Sequence, residues 1–200
     1  MHATRLLTVC VLSAGLALTA CSGTTKDEAK GGNPSPTSTA AGSPSAATSV
    51  DPQKNGSAEA GVGLEALDHP IASVTAKTGM QKDPTATVKV DLLGLKRKEK
   101  LVVLTAAVTP TTTLSDPQSL FRVLGSNSWR PSLIDTVNLK QYSVVRADGR
   151  ILLSNDLVVR AGSGQPMFVY AVFAAPPPEV TKVNVLFSDA IPAFSDVPIQ

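Results

Sequence analysis

The sequence predicts an all-β domain, and three observations carry that reading. Its apolar residues fall in short runs, turn residues separate the runs, and no stretch of ten residues keeps a helical period. Val88-Lys89-Val90-Asp91-Leu92 alternates apolar and charged side chains, as a half-buried strand does. Residues 101–108 are more continuously apolar and predict a central strand. Between them, Lys96-Arg97-Lys98-Glu99-Lys100 predicts a solvated hairpin tip whose charges keep neighbouring strands from pairing with other molecules. Contact with anionic lipid or a teichoic-type polymer is the alternative use of that run.

Residues 109–118, with Pro110 and Pro117, predict a loop, and residues 121–124, 133–139 and 141–146 predict short strands. Asp148-Gly149 readily takes the positive φ angles of a tight turn, so residues 142–145 and 151–153 should pair as a hairpin. Residues 157–160 and 167–173 flank a glycine turn, Ala161-Gly162-Ser163-Gly164-Gln165. Beyond Pro176-Pro177-Pro178, residues 183–187 predict a last strand. About seven short strands in roughly 130 residues predict an immunoglobulin-like β-sandwich over residues 64–200, with a small closed barrel as the alternative. The single tryptophan, Trp129, and the scarcity of other aromatics predict a core built from Val and Leu.

The first twenty residues have a different character. Arg5 supplies a positive start, and residues 6–18 form an apolar stretch too short for a membrane span of ~20 residues. The following Leu18-Thr19-Ala20-Cys21 resembles the lipobox of bacterial lipoproteins. That resemblance implies a signal peptide over residues 1–20, removed after diacylglycerol is joined to Cys21, and a mature chain anchored at the outer face of the cytoplasmic membrane. Two acyl chains, at about 0.8 kcal/mol for each buried methylene, suffice for stable anchoring. Residues 21–63 are dominated by Ser, Thr, Ala, Gly, Pro and Lys, and predict a disordered tether. A flexible chain of that length reaches roughly 35 Å on average.

Several chemistries are poorly served. The 18 basic and 16 acidic residues give a net charge of +2, and without Arg5 the mature side chains sum to +1, too balanced to predict nucleic-acid binding. Cys10 leaves with the signal and Cys21 carries lipid, so the domain has no thiol for a disulfide, a nucleophile or a metal. With His2 also removed, His69 is the one histidine, and its place in Leu67-Asp68-His69-Pro70, beside the tether, reads as surface rather than catalytic. Soft metals would find only Met80 and Met167, and Ser154-Asn155-Asp156 lacks the spacing of a calcium loop and reads as a turn. No catalytic residue, metal site or cofactor is expected. Trp129-Arg130-Pro131, after Gly125-Ser126-Asn127-Ser128, reads either as a loop offering an aromatic and a guanidinium to a partner or as a tryptophan plugging one end of the fold.

Three further stretches, Val88-Lys89-Val90-Asp91-Leu92-Leu93-Gly94-Leu95, Phe173-Ala174-Ala175-Pro176-Pro177-Pro178-Glu179-Val180-Thr181-Lys182-Val183 and Pro192-Ala193-Phe194-Ser195-Asp196-Val197-Pro198-Ile199, resemble the β-rich N-terminal module of actinobacterial OmpA-family lipoproteins. In that family the module often precedes a peptidoglycan-binding OmpA-like domain, which the matching residues do not include. The resemblance therefore implies a scaffold and no transferable activity. The function expected is a lipid-anchored, non-catalytic module that binds an envelope protein or wall polymer. A carboxylate-dependent envelope hydrolase and a structural accessory subunit are the alternatives.

Overall fold

The computed structural model describes residues 55–200. The expected signal peptide, the lipobox-like residues with Cys21, and the expected tether as far as residue 54 lie outside them. The chain is all-β. It opens with a helical turn, α1 (Ser57–Ala60), and a 3-10 turn (Leu64–Asp68), and continues through β1 (Ala72–Lys77), β2 (Thr87–Lys98), β3 (Leu101–Thr111) and β4 (Gln118–Ser119). A second helical turn, α2 (Leu120–Val123), precedes β5 (Ser132–Asp135), β6 (Lys140–Ser143), β7 (Arg146–Ala147), β8 (Arg150–Ile151), β9 (Arg160–Ala161), β10 (Met167–Ala174), β11 (Lys182–Leu186) and β12 (Phe194–Pro198). One four-stranded antiparallel sheet runs β1-β2-β3-β10 and another runs β12-β11-β5-β6.

The two sheets share one hydrophobic cluster. Val88, Val90, Leu92 and Leu95 of β2 face Val102, Leu104, Ala106 and Val108 of β3, beside Met167, Val169, Ala171 and Phe173 of β10. Leu133, Val183, Val185 and Val197 contribute from the other sheet. The inward run on β2 skips from Leu92 to Leu95 because a bulge between Leu92 and Gly94 leaves Leu93 unpaired, which keeps the apolar set on the core face. That bulge also divides the strand's outer edge: β1 pairs with residues 87–92. Past it, Gln200 donates its N–H to Leu95 O (2.8 Å) and accepts from Arg97 N (2.7 Å).

A comparable seam closes the opposite edge. Beyond β6 the chain leaves its own sheet, and Val145 N donates to Val172 O (2.9 Å) while Val144 bridges Phe173. Backbone hydrogen bonds thus join the two sheets at both edges, the closed arrangement weighed above as an alternative. The strand order also departs from an immunoglobulin constant domain, whose third strand lies in the sheet opposite the first two; here β1, β2 and β3 stay together.

Several sequence expectations are corrected. Of residues 121–124, the first three are helical and Leu124 is the turn that ends α2, because Ser119 caps the helix by accepting from Arg122 N. The expected loop at 109–118 begins later, since Thr109–Thr111 extend β3. Pro110 is tolerated there because its carbonyl, accepting from Gly164 N at 2.7 Å, points away from β2, and so would its missing N–H. The strand at 133–139 stops at Asp135, whose carboxylate accepts from Val137 N, Asn138 N and Asn138 Nδ2 and bends the chain. Of residues 157–160 only Arg160 belongs to a strand, because Val158 N and Val159 N both turn back onto Asn155 O.

Ordered contacts also begin before residue 64. Asn55 is buried and its carbonyl accepts from Phe168 N at 2.7 Å, while α1 packs against β10. Gly56 takes φ +80°, and a Cβ there would lie 2.2 Å from Phe168 O. In the charged hairpin, Lys96, Lys98 and Lys100 are exposed as expected, but Arg97 reaches across to the triple-proline loop, donating from Nη1 to Pro176 O (2.6 Å) and from Nη2 to Val180 O (3.1 Å).

Asp83 ties the far end of β3 to the β1–β2 connection. Its buried carboxylate accepts from Thr113 N (2.7 Å) and from the hydroxyls of Thr85 (2.7 Å) and Thr112 (2.7 Å). These donors, the Thr113 N–H foremost, hold its pKa far below the usual carboxylate range, and Asn138 does the same for Asp135 more mildly. Stability from such depressed groups is complete above the unfolded value of about 3.9 and is lost as pH falls toward the folded values.

Two outcomes are expected. Thermal melts should show Tm falling from pH 5 to pH 2, and Asp83→Asn should lower Tm at neutral pH by about 5 °C or more while making that acid decline shallower; an unchanged acid decline would count against the Asp83 account. Gly56→Ala should detach the α1 segment, so that limited proteolysis cuts near residues 55–60 well before the rest of the domain; wild-type resistance there would refute the tight contact with Phe168.

Candidate functional site

The β7–β8 hairpin turns at Asp148 and Gly149, at φ 50° and 76°, as the sequence predicts, but the expected pairing of residues 142–145 with 151–153 is corrected: only Val145 and Leu152 meet across it, while residues 142 and 143 pair with β5. Its two legs then lie along the free edge of β10. Leu152 O accepts from Val172 N (3.0 Å), Ser154 N donates to Tyr170 O (3.0 Å), and Ser154 Oγ accepts from Tyr170 N (3.0 Å). Between these legs and residues 128–132, which lead into β5, lies an open groove of about 650 Å³.

Residues 154–156 hold the groove's walls together. Asn155 Oδ1 accepts from Leu157 N (3.0 Å), and Asp156 Oδ2 accepts from Trp129 N (2.8 Å), fixing the loop that carries Trp129 and Arg130. Since Asp156 O also accepts from Phe121 N (2.9 Å), one residue fastens α2, the Trp129 loop and the hairpin leg. The triplet read from sequence as a turn does open one, with Val158 N donating to Asn155 O, and it is also a clamp in which every side chain meets a backbone N–H.

Trp129 is only 2% exposed, and its ring lies 5.3 Å from that of Phe187. Of the two sequence readings, the buried plug is the one observed, and the expectation of an indole offered to a partner is corrected. The physical reason is that the Asp156 carboxylate pins the Trp129 backbone, and Phe187 receives the ring in the core. The indole Nε1 nevertheless has no acceptor, although Trp129 lines the groove.

Arg130, by contrast, is exposed, and Arg146 from β7 lines the same groove. Neither guanidinium makes a hydrogen bond or ion pair among the described residues. Sequence reasoning singled out Arg130 but missed Arg146, whose place opposite Arg130 is set by the hairpin's path along β10. Pro131, Val144, Ile151 and Leu153 give the groove apolar surface, with Ile151 43% exposed. Asp156 is its one lining carboxylate.

His69 is exposed at the end of the 3-10 turn and does not line the groove. Among the described residues no group of three His, Cys, Asp or Glu side chains is placed to hold a metal ion. Compared with protein-family models, curated proteins and solved structures, the chain matches none.

Trp129→Ala should remove ~3–5 kcal/mol of stability, as for other buried aromatics, and a denaturant midpoint near that of wild type would contradict the buried placement. Trp129→Phe discards the unpaired N–H, whose burial costs ~1–3 kcal/mol, and should leave the melting midpoint close to wild type despite the smaller ring.

Proposed function

We propose that the chain is the precursor of a bacterial lipoprotein, anchored by lipid on Cys21 at the outer face of the cytoplasmic membrane, whose β module binds an envelope component without catalysing a reaction. The observation that carries the binding reading is the groove beside Arg130 and Arg146: a concave surface with two unpaired guanidiniums on a clamped backbone is a preformed recognition site. The lipobox Leu18-Thr19-Ala20-Cys21 and the stretch of Ser, Thr, Gly and Pro after it support the anchored, tethered placement, and the likeness to OmpA-family modules supports an envelope setting.

Non-catalysis is supported by the same groove. Hydrolysis by paired carboxylates needs two acidic groups about 5–10 Å apart. This groove has Asp156 alone, with one oxygen already engaged by Trp129 N.

The anchoring half is tested by Cys21→Ser in a bacterial host, which should abolish incorporation of labelled fatty acid and move the chain from the membrane to the soluble fraction; continued labelling would overturn it. The binding half is tested with a photo-crosslinking amino acid at Ser143, which lines the groove, and at Ser195 on β12 as control. A discrete envelope adduct from position 143 alone is expected, and identical products from both positions would overturn the assignment of the groove.

A further inference from the structure

Resting on the groove as the binding face, we infer that its ligand is acidic, a chain bearing oxyanions such as phosphodiesters or carboxylates. Ser132 Oγ accepts from Gln141 Nε2 (3.0 Å), Asn155 Oδ1 from Leu157 N (3.0 Å), and Asp156 Oδ2 from Trp129 N (2.8 Å). Ser154 Oγ, fully buried, accepts from Tyr170 N (3.0 Å). Four of the side-chain oxygens lining the groove are thus engaged by the protein's own N–H groups.

The donors are not. Each guanidinium carries five N–H donors and no acceptor, and neither Arg130 nor Arg146 is paired among the described residues. The amide nitrogen of Asn155 makes no hydrogen bond among the described residues, and the Ser132 hydroxyl, already an acceptor, retains its own proton to give. The side-chain acceptors left over are Asp156 Oδ1, Gln141 Oε1 and the hydroxyls of Ser128 and Ser143, which also donate, and these are outnumbered by the ten N–H donors of the two guanidiniums. A ligand complementary to such a surface supplies oxygens that accept and do not donate. Carboxylates and phosphodiesters do this, and guanidinium pairs with both in bidentate, charge-assisted bonds. A neutral sugar brings a donor with every hydroxyl.

Size and apolar surface argue for a chain rather than a single ion. A groove of about 650 Å³ far exceeds one phosphate, and exposed Ile151 beside Val144 and Leu153 suits the uncharged links between acidic groups.

The test uses the full chain in mild detergent, titrated calorimetrically with poly(glycerol phosphate), polygalacturonate and neutral dextran. Three variants accompany it: Arg130→Gln, Arg146→Gln, and Arg150→Gln on the same hairpin but outside the groove lining. Saturable binding of an acidic polymer is expected, weakened about tenfold by either groove variant and unchanged by Arg150→Gln, with dextran not bound. The tighter of the two acidic polymers then distinguishes phosphodiester from carboxylate. Dextran bound as tightly, and weakened by the groove variants, would overturn the acidic ligand while leaving the groove as the binding face. Equal weakening by all three variants, or no saturable binding of either acidic polymer, would overturn the inference.

Discussion

A strand inside a closed fold has two rows of peptide groups to satisfy, and the edge of β10 that faces away from β3 is the constraint on which the remaining structure depends. Residues 167–174 pair with β3 along one side. On the other, Phe168 N meets Asn55 O, Tyr170 N meets Ser154 Oγ, and Val172 N meets Leu152 O. No single strand provides these partners; residue 55 and residues 152–154 do, and a third stretch joins them where Val145 N donates to Val172 O. An uncovered edge beside so apolar a strand would be a site for unwanted pairing with other molecules. Covering it draws the α1 segment onto the domain, carries the chain out of the β6 sheet to the edge of β10, and lays the β7–β8 hairpin so that Arg146 and the Trp129 loop line one groove.

The groove is thus a by-product of edge protection, and the proposed binding would use it. Its backbone is held from both sides, by β10 beneath residues 152–154 and by Asp156 on the Trp129 loop, so a ligand would meet a surface already shaped and would not have to order it. The two arginines lie outside this clamp. Their freedom from internal partners is what separates them from Arg97, whose guanidinium is used by Pro176 and Val180 carbonyls in closing the other end of the fold.

The parts of this arrangement legible in the sequence are those written in side chains. Alternation in residues 88–92, the apolar run that became β3, the positive-φ dipeptide Asp148-Gly149 and the strands around the triple proline all carry local signals, and they give the class of fold. The seams do not. Val145 with Val172, and Gln200 with Leu95, join through peptide groups that every residue possesses, so the sequence pattern favoured a two-sheet sandwich and left the closed barrel as the alternative. A single helical turn such as α2 is shorter than any period. The α1 segment reads as tether by composition, and only the left-handed Gly56 against Phe168 reveals docking. Trp129 sits among polar neighbours that look alike whether the ring turns inward or outward, so its burial was decided by Asp156 and Phe187, distant in sequence. Arg130 could be nominated from its neighbourhood; Arg146 could not, because pairing it with Arg130 requires the hairpin's route.

The central claim, that covering β10 builds a preformed groove, is tested most directly by native-state hydrogen exchange of the backbone amides of residues 145, 152, 154, 168, 170 and 172 in the full chain. Exchange at the rate of the β2–β3 amides, through global unfolding only, is the result the account predicts. Exchange orders of magnitude faster at these positions, with β2 and β3 still protected, would show the hairpin to be a loose flap and contradict a groove formed in advance of its ligand.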